Sequence, residues 1–526
     1  MQIPVLYEVV GDVSPTLFLT AALTLLFVVY YVYATRHHGV WEKLGVPGPK
    51  PWPIIDHMLE LKGGADAAVR KWYHVYGNTF GAYGLIPHHA VLFTKDLPLV
   101  KEILVKDFDN FMERSRPRKT TSTLKYGLTS VSGDRWRRTR HVTSPMFTGS
   151  RLKTILRHVC DSAGTLTQLA KLNSSKGQLI SLKSFASKFS TEVIARIAFG
   201  VESHAVSEEE SEFAYNARNI VIFDSKFQNY MNKIRQYFPH IDNILRILNI
   251  NTDFVKEETD KYFVSVLEST IKDRKSKDLG LGNDKPRDLL DMLMKAAVED
   301  NDPRLADSES KSLSHDEILG NSIMLILAGV ETVSTTFQSL LYCLALHEDI
   351  QDKVIAEIQQ VFPKGTDVDY EQLKELKYTE QVINECLRLF PLISTIMRVA
   401  AKTKTYGGIT IPKGTYVNIS LGEIMKDPEH WPDPEKFDPD RFSPENKAER
   451  DPLAFVPFGY GPRICLGMRL AMMELKIILV YLLRDLRFTL SDRTEPKKGE
   501  KLVMKMSGVV LLRPRTPIKL EAVPRL

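Results

Sequence analysis

Between Phe455 and Arg469 the chain reads FVPFGYGPRICLGMR, and no other stretch constrains the fold as strongly. Its closely spaced glycines and prolines predict a loop, and the apolar text that follows predicts a helix. One cysteine, Cys465, is thereby delivered to the mouth of that helix. Backbone N–H groups at the transition, the positive end of the helix dipole and nearby Arg463 would all favour a thiolate over a thiol. Gly459, Gly461 and Gly467 carry no side chain, so a flat, bulky ligand can press against the backbone there. The plain alternative is a buried structural cysteine beside a Gly-rich turn.

The flanking pattern argues against that alternative. Phe458, Gly459, Gly461, Arg463, Cys465 and Gly467 resemble the haem-binding signature of the cytochrome P450 family, with Tyr460 bulkier than the small residue often found at its position. The resemblance covers nearly the whole chain. It implies a mainly α fold with a minor β region, and haem b with Cys465 as the axial ligand of the iron. Phe458, Gly459 and Arg463 would lie beside the cofactor. Thiolate ligation is the arrangement that favours O–O cleavage.

Length and composition fit one large catalytic unit. A chain of 526 residues could hold several domains of about 150 residues, yet no Ser/Gly-rich linker or low-complexity tract divides it beyond the N-terminal segment. Cys160, Cys343, Cys386 and Cys465 are far apart with no CxxC pair, which points to a reducing compartment and to neither disulfides nor zinc. A net charge of +5 is mild for this length, so nucleic acid is not an expected partner and any basic patch must be local.

At the N-terminus, Thr16 to Ala34 reads TLFLTAALTLLFVVYYVYA, a charge-free run long enough to cross a bilayer core of about 30 Å. Acids (Glu8, Asp12) precede it, and Arg36, Lys43 and Lys50 follow it. The positive-inside rule then places residues 1–15 in the lumen, 16–34 in the membrane and the remainder in the cytosol. On that topology the glycosylation patterns at Asn173 and Asn418 are idle. Residues 35–53 read as a linker whose proline-rich part, Val46 to Pro53, stiffens into an extended spacer. Residues 54–526 form the expected catalytic domain, and microsomal members of the family carry such a spacer to orient the globule.

Trp136 and Arg140 stand four apart, on one helical face, where both could reach one anion. The resemblance makes that anion a haem propionate, which suits the bidentate guanidinium. Arg135, Arg137 and Arg138 are expected off that face and in solvent, as a landing patch for an acidic electron donor or simply as a solvated helix. Further on, residues 238–250 carry aliphatics at helical spacing, with Phe223, Phe227, Tyr230 and Tyr237 upstream. Core packing explains most such runs. The resemblance is closest here to the microsomal drug- and steroid-oxidising branch, in which these helices roof the substrate cavity.

A capping box, Ser314 to Glu317, opens a long and largely uncharged helix. In its centre stand Ala328, Gly329, Val330, Glu331 and Thr332. A mid-helix Gly costs roughly 1 kcal/mol against Ala, and close approach of a haem face would supply its reason. A mid-helix Thr can simply bond back to a carbonyl one turn earlier. The segment resembles the family's oxygen-activation motif, which implies catalytic roles for Thr332 and Glu331 and a cofactor face at Ala328 and Gly329.

Glu385 and Arg388, three apart on one helix, match the family's Glu-x-x-Arg pair. Arg441, in the stretch Phe437 to Phe442, would complete a buried structural network with them. Short β-branched segments between these elements predict a small sheet broken at Pro412 to Gly414. From the family, Ile393, Thr395 and Ile396 become candidate substrate contacts, and Arg398 a second propionate partner.

The reading is therefore a membrane-anchored haem-thiolate monooxygenase of the endoplasmic reticulum. It would take NADPH electrons through NADPH-cytochrome P450 reductase, with cytochrome b5 as a second donor, and would oxidise lipophiles such as steroids, fatty acids or xenobiotics. Two rivals share Cys465. A haem-thiolate isomerase acting on a lipid peroxide needs no reductase, and a non-catalytic haem protein needs no acid–Thr pair.

Overall fold

The computed structural model describes residues 15–83, 89–114, 122–206, 211–220, 255–277, 288–500, 502–507 and 511–525, with positions 234 and 241. The aromatic and aliphatic run read as a cavity roof, from Phe223 to 250, lies outside the described residues apart from those two positions.

The helix Pro15–Thr35 is 21 residues long with a mean hydropathy of 2.1, and its apolar side chains from Leu17 to Val32 stand largely exposed. Length and composition suffice to cross a membrane. The chain then turns into the globule. Trp41 and Val46, inside the stretch read as a linker, are buried in a cluster with Leu92, Val417 and Trp431. Gly81 makes room for this strap, since a Cβ there would lie 2.1 Å from the Trp41 ring.

The centre of the molecule is the helix His315–Leu346. It is also apolar enough to span a membrane, at a mean hydropathy of 1.5, but 61% of the relevant window is buried inside the protein. Its N-terminus is the expected capping box. Ser314 Oγ accepts from the Glu317 N–H at 3.3 Å, and Glu317 Oε2 accepts from the Ser314 N–H at 3.0 Å. The helices Leu182–Phe199, Lys377–Leu389 and Met468–Leu483 contribute to the same hydrophobic core.

The principal sheet has four strands in the order Thr79–Tyr83, Ala90–Thr94, Tyr416–Ile419 and Ile396–Val399. The outer pairs are antiparallel and the middle pair is parallel. Register sets Arg398 opposite Val417, which fixes where that guanidinium starts. A separate hairpin, Met504–Ser507 with Leu511–Pro514, is tied to the loop ahead of the sheet by the Leu512 N–H, which donates to the Leu392 carbonyl at 2.8 Å.

Glu474 breaks the apolar pattern of the helix Met468–Leu483. It is 1% exposed, its Oε2 has no hydrogen-bond partner among the described residues, and burial pushes its carboxyl up to about 8. In an unfolded chain a glutamate ionises near pH ~4.3. Between those values the native state holds a proton that the unfolded state has released, so this residue makes stability fall as pH rises. Glu474→Gln should abolish that component. Melting curves at pH 5 and pH 8 should show the variant gaining on the wild type at the higher pH, and parallel pH profiles would contradict the assignment.

Candidate active site

The loop that carries Cys465 is shaped by backbone needs. Gly461 has φ +75°, and a Cβ there would lie 2.1 Å from the Leu104 carbonyl oxygen, so only glycine fits. Gly459, at φ +74°, faces open space. The Cys465 N–H donates to the Phe458 carbonyl at 3.0 Å, closing the loop just before the helix begins at Met468. Tyr460 is absorbed without strain by packing against the cluster around Trp431.

Cys465 is the exposed member of the four cysteines, while Cys160, Cys343 and Cys386 are buried. Its exposure is toward an internal cleft, for protein surrounds the sulfur and burial pushes the thiol up. The N–H groups of Gly467 and Met468 and the charges of Arg140 and Arg114 oppose that rise. The sequence-based expectation is corrected in two respects. Arg463 turns away, with its guanidinium 4.3 Å from the centre of the Trp136 ring and a donor reaching the Val131 carbonyl at 3.4 Å. Burial also outweighs these favourable contacts, and a coordinated metal would deprotonate the thiol outright.

Four arginines converge beside this cleft. Burial first, and then repulsion from Arg114, pulls Arg398 down to about 9. Arg463 is drawn to about 9 in the same way, with Arg398 and Arg140 adding repulsion. Arg398 and Arg463 each bury an Nε that has no hydrogen-bond partner among the described residues. Such a cluster is poised for a bound polyanion. Arg114 escapes a reading by motif because its loop has no periodicity, and only the three-dimensional convergence reveals it. Trp136 is buried against Phe108 and Arg463.

The neighbours of Trp136 differ from expectation. Arg138 is 3% exposed, and donates to both carboxylate oxygens of Glu317, at 2.7 and 2.9 Å, and to the Ser312 carbonyl. Arg135 also reaches Glu317, at 2.7 Å, and Arg137 pairs with Asp109 at 2.6 Å. The carboxylate that caps the central helix thus draws Arg138 inward, and the three residues do not form a free basic patch.

In the central helix, Ala328 is exposed among half-buried neighbours, Leu327, Gly329, Glu331 and Thr332. Thr332 Oγ1 donates to the Ala328 carbonyl at 2.5 Å, the back-bond open to any helical threonine. Its proton is committed, so its lone pairs remain to accept. Gly329 also lies against a neighbouring helix, since a Cβ there would be 2.2 Å from Ile194 Cδ1, so the helix Leu182–Phe199 packs closely at this point. Glu331 points to a neighbouring polar cavity, 3.9 Å from Lys183.

Glu385 and Arg388 are both fully buried and joined by two hydrogen bonds of 2.7 and 2.8 Å. Arg441 Nε lies 3.6 Å from Glu385 Oε1. Ile393, Thr395 and Ile396 all keep part of their surface accessible, Ile396 while also packing against the cluster that holds Ile419 and Leu421.

Comparison with known proteins agrees with this arrangement. The family model Cytochrome P450 matches residues 46–521. Cytochrome P450 3A27 of Oncorhynchus mykiss is 34% identical over 499 residues, covering 95% of this chain and 93% of that relative. Cytochrome P450 3A41 of Mus musculus is 33% identical over 506 residues, covering 96% of each. The chain belongs to the cytochrome P450 family. It is a haem b monooxygenase of lipophilic substrates, supplied with NADPH-derived electrons by redox partners, and its apolar N-terminal helix is a candidate membrane anchor. The residues present fit that cofactor. An accessible sulfur opens on the cleft, open space lies over Gly459, and the buried guanidinium nitrogens without partners suit two propionates.

Proposed function

We propose a single-pass enzyme of the endoplasmic reticulum that oxidises steroids, fatty acids or foreign compounds. Residues 16–34 are its anchor, 35–53 its connecting strap and 54–526 its cytosolic catalytic domain. NADPH-cytochrome P450 reductase is its electron donor, with cytochrome b5 as a second. The observation that carries this reading is the accessible Cys465 beside four converging arginines, two of which, Arg398 and Arg463, bury an Nε with no hydrogen-bond partner among the described residues.

Cys465 would hold the haem iron, and the haem would supply dioxygen binding and O–O cleavage. Arg114, Arg140, Arg398 and Arg463, with Trp136 packed beneath Arg463, would bind and orient the two carboxylates of the cofactor. Phe458 and Gly459 floor the site. Ala328 keeps the opposite wall low, while Gly329 allows the central helix to sit close to Ile194. The Thr332 O–H is engaged by the Ala328 carbonyl, so its oxygen is free to accept a hydrogen bond and would order water beside the reacting oxygen. Glu331 stands one residue away, at the wall where protons enter. Ile393, Thr395 and Ile396 face substrate.

Thr332→Val keeps the volume and removes the acceptor. NADPH should still be consumed and haem content should be normal, while hydrogen peroxide replaces product and coupling falls by roughly 100-fold. Measuring NADPH, peroxide and product together checks this. Unchanged coupling would remove Thr332 from the proposed machinery.

A further inference from the structure

Trp431 is fully buried beside the segment that leads into the cysteine loop. Its indole N–H donates to the Ala454 carbonyl at 3.3 Å, and its ring meets that of Phe455 edge-on, with centroids 6.3 Å apart. Phe442 closes the group, 5.5 Å from Trp431 and 4.6 Å from Phe455. Tyr460 packs into the same cluster. Phe455 and Tyr460 bracket Phe458, whose carbonyl accepts from the Cys465 N–H. The aromatic group therefore grips both ends of the short stretch to which the cysteine is bonded.

Two cations lie over the Trp431 ring. Arg388, the partner of Glu385, has its guanidinium carbon 5.1 Å from the ring centre, and Arg450 has its own at 3.8 Å. Arg450 also lies 5.6 Å from the centre of the Phe442 ring and donates from Nη2 to the Arg441 carbonyl at 2.9 Å. Its neighbours in sequence, Pro444 to Glu449 and Asp451, are all exposed, whereas Arg450 is half-buried, so its inward turn does not follow from the local pattern. Burial and repulsion from Arg441 and Arg388 oppose the charge there, and Glu385 favours it. That carboxylate is already shared by Arg388 and Arg441. The negative face of the indole is the further attraction, which strengthens where water is excluded and which suits a planar guanidinium.

We infer that Arg450 is a positioning residue for Cys465, acting through Trp431 and Phe455 to hold the cysteine loop in place. The inference rests on the reading of Cys465 as the haem ligand. It adds to the network of Glu385, Arg388 and Arg441 a member that reaches the loop through aromatic rings.

The test compares the full-length holoenzyme with Arg450→Met, which keeps a long apolar side chain and removes the charge. Haem content after purification should match the wild type. In a fixed, moderate concentration of urea the thiolate-type carbon monoxide spectrum should decay roughly tenfold faster. Arg450→Lys, which keeps the charge without the flat stack, should fall between the two. Ile271→Val trims a buried side chain of the helix Glu257–Lys277, controls for general destabilisation and should leave the decay unchanged. A wild-type rate in Arg450→Met, or an equal acceleration in Ile271→Val, would overturn the inference. Hydrogen exchange gives a readout that does not depend on the iron ligand. Peptides spanning residues 455–467 should exchange faster in Arg450→Met while those of the central helix do not, and equal exchange across 455–467 in the two proteins would also overturn it. A wild-type protein without the thiolate-type spectrum would instead refute the reading of Cys465, with the exchange result still deciding whether Arg450 holds the loop.

Discussion

Cys465→Ser should yield a protein that has lost the carbon monoxide spectrum typical of thiolate-ligated haem, together with all turnover. The expectation rests on exclusion as well as on position. Cys160, Cys343 and Cys386 are buried, and burial pushes the Cys160 thiol up to about 11 and that of Cys343 well above its ordinary range. None of the three can reach the cleft without unpacking a helix. A serine hydroxyl is a harder, neutral donor that does not reproduce the electron-releasing sulfur. Retention of the thiolate-type spectrum by the variant would mean that another cysteine is the ligand.

Arg388→Ala should be the most damaging substitution away from the cleft. The guanidinium and its partner Glu385 are both fully buried, and Arg388 also donates to the carbonyls of Met425 at 3.1 Å and Lys436 at 3.2 Å. Truncation leaves the Glu385 charge buried with only the more distant Arg441 and the Asp438 N–H beside it. Removing one partner of such a pair costs roughly 3–5 kcal/mol. The two carbonyls anchor the segment that leads to the cysteine loop, so haem retention should fall along with thermal stability. Glu385→Gln, which preserves a hydrogen-bonding side chain, should do less harm than Glu385→Ala. A melting temperature and haem content near those of the wild type in Arg388→Ala would show that the network contributes little.

Local spacing made much of this molecule legible in sequence. The capping box at Ser314, the helix after Gly467 and the pair Glu385/Arg388 depend on residues three or four apart, and each is found where the pattern puts it. Features set by distant chain segments were not legible. Arg138 is drawn inward by Glu317, 179 positions away in the chain, which no helical-face argument anticipates. Gly329 answers to Ile194 on another helix. Arg114 joins Arg140, Arg398 and Arg463 only after the loop, the helix and the strand that carry them have assembled. Trp41 was hidden for the same reason, because a proline-rich neighbourhood reads as a spacer until the surface that receives it is known.

The measurement that bears most directly on the whole account is the fate of labelled dioxygen. The wild-type enzyme, reconstituted with reductase, NADPH and a steroid or fatty acid, should be run under ¹⁸O₂ and its products weighed by mass spectrometry. One labelled oxygen atom per product molecule, dependent on both reductase and NADPH, is the result predicted. Turnover of a lipid peroxide without reductase, yielding products free of the label, would contradict it.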